Sequence, residues 1–301
     1  MRHSLGTGGP IRGRLLAALL ASFAIACGER TTILQSSAPP AFPTAPQSAS
    51  TAVIYLADGN GTVRGKLTKG GWPSWSPDGR RIVFHRDRHV RVIGVDGTDE
   101  RELSAGQWPT WSPDGSRIAF ATPEGIGVMN ADGSAARPLM SAALVALHDW
   151  GVGKPSWSPD GALIAFDEPF AYEDGATAWI FAMNADGTSQ FSLAGHDTFE
   201  SEPSWSPDGS RVVYWSLGIG LAIVPRSGGF PIPLNKSQAA PFFARPAWSP
   251  DGRTILFNGK SQEIMAVSPD GGSARVFIDR GADAAWSPDG TRIAFVRLEP
   301  R

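Results

Sequence analysis

Cysteine is almost missing from this chain: 301 residues carry one, Cys27. A single thiol excludes an intramolecular disulfide framework and any zinc site built from several thiolates. An excess of basic charge is missing too, since the formal net charge is -2. Readers of nucleic acid are usually strongly basic, so nucleic acid is not an expected partner. Neither Gly-x-Ser-x-Gly nor His-Glu-x-x-His occurs, which removes the two commonest hydrolase signatures. What is plentiful is punctuation. The 35 glycines and 25 prolines exclude a helical bundle, while 42% hydrophobic residues and 15 phenylalanines are too many for a disordered chain. That combination describes a folded, turn-rich, all-β protein.

Long apolar runs are also scarce. Leu15 to Ala26 is apolar for only twelve residues, too short for a stable membrane span. Arg2, Arg12 and Arg14 precede it with no acid, and small residues close it, so residues 1–26 read as a secretory signal peptide. The closing Ala24-Ile25-Ala26-Cys27-Gly28 resembles a bacterial lipoprotein lipobox. That resemblance implies lipidation of Cys27, and Gly28 resembles the pattern that sorts to an outer membrane. Residues 27–51 are then a lipidated cysteine and a Ser/Ala/Pro-rich tether, with a root-mean-square reach of roughly 25 Å. The expected location is the bacterial cell envelope, periplasmic or outer-membrane associated, touching the membrane through the lipid alone.

The rest of the chain repeats itself. Trp-Ser-Pro-Asp-Gly begins at Trp75, Trp111, Trp157, Trp205, Trp248 and Trp286, each time followed by a short apolar run ending in Phe or Tyr. A second phrase, an apolar strand and a tight turn before a strand closed by Leu or Phe, also occurs six times, from Asp58-Gly59 to Asp270-Gly271. Asp-Gly between apolar runs is a strong hairpin signal. Each unit therefore reads as four short antiparallel strands, here called A to D, in about 40 residues, the pattern of a β-propeller blade. The chain opens with a C–D hairpin lacking its A–B half and closes with an A–B hairpin lacking its C–D half. Pairing the two completes a single ring of six blades over residues 52–298 and leaves no open edge.

The whole pattern, clearest from Pro109 to Leu139, resembles the TolB-type propeller repeat. Residues 28–50 are too short and proline-rich for the α/β domain that precedes the propeller in TolB, so the resemblance covers the propeller alone. The repeated residues read as scaffold. Pro presets φ, Asp bonds its own backbone two residues on, Gly takes the left-handed position, and Trp fills the wedge between blades.

Function is expected where the repeats differ. Meander topology puts the A–B and C–D turns, tight and repetitive, on one face. The B–C and D–A loops, which hold the length variation, lie on the other. One residue per blade stands just before strand A and should ring the channel mouth: Trp72, Trp108, Lys154, Glu202, Arg245 and Asp283. Around them the loops supply His85, Arg86 and Arg88 on one side and Trp150, Asp167, Glu168, Glu173 and Asp174 on the other. Two aromatics and charges of both signs suit a peptide or a polar loop of a partner. The expectation is a monomeric binding module for an envelope protein or peptide, not an enzyme, with no cofactor and no metal. The alternatives are a propeller hydrolase or lyase acting on sugars or peptides at the same face, or an accessory domain of a separately encoded enzyme. Asp167 and Glu168, as paired carboxylates, are the candidates for acid–base work in the first of these.

Overall fold

The computed structural model describes residues 50–139, 153–172, 175–195, 199–234 and 244–300. Cys27, with the signal and the tether up to residue 49, lies outside the described residues. Within them, twenty-four strands form six four-stranded antiparallel sheets, the expected six-bladed propeller. Blades 1 to 5 follow the chain order of their tryptophans, from Trp75 to Trp248. Blade 6 is assembled from both ends of the ring. Ala282–Trp286 and Arg292–Pro300 pair onto Ser50–Asp58 and Val63–Lys69, in the order Val63–Lys69, Ser50–Asp58, Arg292–Pro300, Ala282–Trp286. The joining ladder runs from Ser50↔Pro300 to Asp58↔Arg292 without a register shift.

The Trp-Ser-Pro-Asp-Gly phrase builds each A–B turn by one hydrogen-bond pattern. In blade 2 the Ser112 hydroxyl donates to Asp114 Oδ1 at 2.5 Å and accepts the Arg117 N–H at 2.9 Å. Asp114 Oδ1 also accepts the Ser116 N–H at 3.0 Å, and the Gly115 N–H returns to the Ser112 carbonyl. Gly115 adopts φ 70°, which a side chain would resist. The serine is buried in all six copies. Its hydroxyl ties the turn to the strand beyond, a role that the sequence reading gave to Pro, Asp and Gly alone.

Tryptophan closes the gap between blades, as expected. Trp75 packs with Ile54, Ala294 and Val296 of the closing blade as well as with Ile82 and Phe84 of its own. A buried aromatic of this size contributes about 2–3 kcal/mol. Its outer face is covered by Arg292, whose guanidinium stands 4.8 Å from the ring. Arg81 does the same for Trp111, Arg117 for Trp157 and Arg211 for Trp248. Blade 3 has Leu163 at that position, and Trp205 is covered instead by Arg226, which is held by Asp160 at 2.8 Å. Five of the six repeat tryptophans are thus covered by an arginine at the turn face.

Candidate functional site

Three residues before each repeat tryptophan the backbone leaves β geometry. Trp72, Trp108, Lys154, Glu202, Arg245 and Asp283 have φ of 55°, 50°, 41°, 63°, 38° and 55°. A residue with a side chain in this region costs about 1–2 kcal/mol. In five blades the ladder slips there, as between Gly71 and Ser74 or Ser201 and Ser204. These residues therefore do not all precede the innermost strand, as the sequence implied. Five sit inside it, at a bulge, and only Arg245 stands ahead of its strand, Ala247–Trp248. The bulge lets pairing resume on both sides of a residue whose side chain is turned over the channel.

Strain of this kind persists only where the surroundings hold it. The preceding blade supplies the hold. Trp108 N–H donates to His85 Nδ1 at 3.1 Å, and Asp283 N–H donates to Asn258 Oδ1 at 2.8 Å. Glu202 N–H donates to the Asp167 carboxylate. His85, Asp167 and Asn258 occupy one position of the repeat, the residue after the strand-B aromatic. Arg245 N–H is held differently, by the side chain of Glu202.

The six side chains close a circuit over the channel. Trp72 and Trp108 lie 6.1 Å apart, and Lys154 Nζ stands 5.8 and 5.7 Å from their rings. Lys154 also bridges to Glu202 at 2.5 Å. Arg245 crosses to Trp72, 5.1 Å from the ring centre, and stands 3.8 Å from Asp283. Glu202 and Asp283 are 3% and 9% exposed, so the mouth is a septum whose charges answer one another. Beneath it a cavity of about 290 Å³ runs past Ser74, Thr110, Ser156 and Ser204 toward the Ser-Pro turns.

Asp167 and Glu168 are not side by side in space. Neighbours in a strand point to opposite faces. Asp167 lies against Gly153, near Lys154 and Glu202, whereas Glu168 accepts a 2.6 Å hydrogen bond from Gln190. Burial pushes Asp167 up to about 6; Lys154 opposes the shift and Glu202 adds to it. Burial also raises Glu168.

Glu200 and Tyr214 form a site the sequence reading missed. Two residues before the ring, blades 1, 2 and 6 have Gly70, Gly106 and Gly281, each pressed against a strand-B phenylalanine; a Cβ on Gly106 would stand 2.5 Å from Phe120. Blade 4 has Glu200 at that position and Tyr214 in place of the phenylalanine. Glu200 Oε2 and Tyr214 Oη are buried without a hydrogen-bond partner among the described residues. Burial moves Glu200 to about 7 and raises Tyr214, to which the Glu200 charge adds. The double exchange, Glu200 for glycine and Tyr214 for phenylalanine, is the departure from the repeat that marks it in the sequence.

Of the remaining loop candidates, His85 joins the ring. His85 stacks on Trp72 with ring centres 5.3 Å apart, and burial, then the Arg245 charge, pushes its pKa down to about 4. Arg86 is tied to Glu100, and Arg88 is exposed in the two-residue turn Asp87-Arg88. Trp150, Glu173 and Asp174 lie outside the described residues. Among the described residues no three His, Cys, Asp or Glu side chains gather into a metal site.

The TolB beta propeller domain family matches residues 89–300. A protein from Agrobacterium tumefaciens assigned as TolB is 18% identical with a TM-score of 0.69, covering 84% of this chain and 100% of its own. TolB from Acinetobacter baumannii is 18% identical with a TM-score of 0.52, covering 85% of this chain and 67% of its own. Hydrazine synthase from Kuenenia stuttgartiensis, 15% identical with a TM-score of 0.56, shares the fold over 80% of this chain and 86% of its own. No curated protein matches the chain by sequence.

Proposed function

The chain belongs to the TolB beta propeller domain family, and from that premise we propose that it is a lipid-anchored binding module of the bacterial envelope, docking a protein or peptide on its loop face. The observation that carries this reading is the septum. Six residues of different chemistry hold a costly backbone conformation at equivalent places on an otherwise repetitive ring. Of the twelve non-glycine residues with positive φ among the described residues, nine stand at this end, and such a gathering of strain supports use at that end. The likeness to TolB propellers supports an envelope location, and the Cys27 lipobox with its tether supports attachment by a lipid.

The hydrolase or lyase reading draws on the raised carboxyls Asp167 and Glu200. A general acid must reach the atom it serves. Asp167 Oδ1 and Glu200 Oε2 are closed off from solvent, which favours docking over catalysis. The deciding experiment is affinity capture from envelope extract with wild type and with Trp108→Ala/Arg245→Ala. Loss of a captured protein in the variant supports the reading, and identical capture overturns it. Palmitate labelling that survives in Cys27→Ser would remove the anchor.

A further inference from the structure

The loop face carries a second depression beside the septum. A groove of about 530 Å³ crosses the top of the closing blade, from Gln262 to Asp87. Four cations line it, Lys69, Arg86, Arg280 and Arg297, against two carboxylates, Asp87 and Asp283. Asp283 is already engaged by Asn258 and Arg245, and Arg86 by Glu100. Lys69 and Arg280 are exposed, and neither side chain has an ion-pair partner among the described residues. Lys69 and Arg297 are both ladder partners of Val53, which puts them on one face of the blade two strands apart, roughly 10 Å.

His85 lies at the inner end of the groove. Its Nδ1 accepts the Trp108 N–H, so the neutral ring carries its hydrogen on Nε2. With its pKa pushed down to about 4, the imidazole stays neutral at physiological pH and offers a donor. Much of the remaining wall is apolar, formed by Ala52, Val296 and Leu298 and the bare backbone of Gly70 and Gly281. Leu298 is 55% exposed. A small inorganic anion would satisfy the cations and leave that wall uncovered. A peptide covers both.

We infer that this groove takes a peptide carboxylate flanked by apolar side chains, the carboxylate held by Lys69 and Arg280 and the chain crossing the edge of the blade so that the apolar neighbour lies on Val296 and Leu298, which face blade 1 and His85. The inference names the partner chemistry for the docking reading and rests on it. Two fluorescein-labelled peptides test it on the full chain: Ala-Val-Glu-Val-Ala amide, with an internal carboxylate, and Ala-Val-Ala-Val, with a free terminal one. Each is compared by anisotropy with its neutral counterpart, the Gln peptide or the terminal amide. One carboxylate peptide is expected to bind more tightly than its counterpart and to weaken as salt rises. Lys69→Gln and Arg280→Gln should each weaken it about tenfold, the loss of one charge-assisted hydrogen bond, with unchanged thermal melting because both residues are exposed. Saturation should shift the His85 ring signals read by NMR.

Equal binding of charged and neutral peptides overturns the inference. So does full displacement by inorganic phosphate at a concentration where acetate displaces nothing, or binding to anionic vesicles while neither peptide binds. Envelope capture separates the two levels. If Lys69→Gln/Arg280→Gln retains a partner that Trp108→Ala/Arg245→Ala loses, the groove assignment falls and the docking reading stands. If neither double variant changes what is captured, both fall.

Discussion

The turn face and the loop face of the ring treat carboxylates in opposite ways. At the turn end, each Ser-Pro-Asp-Gly aspartate is held below its ordinary range, chiefly by the hydroxyl of the serine two residues back and with help from a backbone N–H. Asp114, Asp160, Asp208 and Asp289 fall to about 2. At the loop end, Asp167 and Glu200 rise to about 6 and about 7, driven by burial. The repeat surrounds its charge with donors, whereas the departures from the repeat remove water and supply few donors or none. The same carboxyl group is thus surrounded by donors at one end of the blade and dehydrated at the other.

The largest effect that could break this contrast is its pH signature. A carboxyl with a raised folded pKa keeps its proton in the folded state where the unfolded chain has lost it, so the folded state is favoured at low pH. Stability should therefore fall as pH climbs from about 4.5 to about 7 through Glu200, and from about 3.8 to about 6 through Asp167. The fall should be on the order of a few kcal/mol. The turn aspartates have the opposite sign. Their stabilisation is complete above 3.8 and is lost as pH drops toward 2. Urea unfolding across pH 2 to 8 should give a maximum near pH 4 to 5. Glu200→Gln should flatten the alkaline limb and leave the acid limb intact, and an unchanged alkaline limb would contradict the assignment.

Next in size is the turn serine. Ser206→Ala leaves the Arg211 N–H without its acceptor and Asp208 without one of its two hydroxyl donors. A loss of about 2–3 kcal/mol is expected in urea unfolding, against about 1 kcal/mol for Ser210→Ala, which is exposed. Third come the side chains that hold the strained ring. His85→Ala should cost about 1–2 kcal/mol, and His85→Asn should recover part of it because Asn258 performs the same task in blade 5. Equal losses for the two variants would show that burial alone matters there. The smallest effect belongs to the stacked arginines. Arg81→Gln should lose about 0.5–1 kcal/mol through Trp111.

The sequence made the ring legible because its information is local. Six tryptophans fix the blade count, and the orphan hairpins at the two ends dictate their own pairing, which the Ser50↔Pro300 ladder bears out. Counting back three residues from each tryptophan also found the septum residues. It could not find how they are held. His85 is 23 positions from Trp108 and Asn258 is 25 from Asp283, and those contacts exist only once neighbouring blades stand side by side. The answering of Lys154 by Glu202 is hidden for the same reason, with 48 residues between them. Residue type alone suggested that adjacent Asp167 and Glu168 cooperate; strand geometry sends them apart.

The closing blade has a directional consequence. Its strand Ser50–Asp58 ends beside the Ser-Pro turns, where the Gly59 N–H meets the Thr291 carbonyl, so it must begin on the opposite face. Thr51 and Ala52 line the cationic groove, at the threshold where the polypeptide enters the ring. The strand that zips the ring shut thus shares its first residues with the groove, so an occupant of the groove would bear directly on the seam and act as a clasp on the closure of the ring.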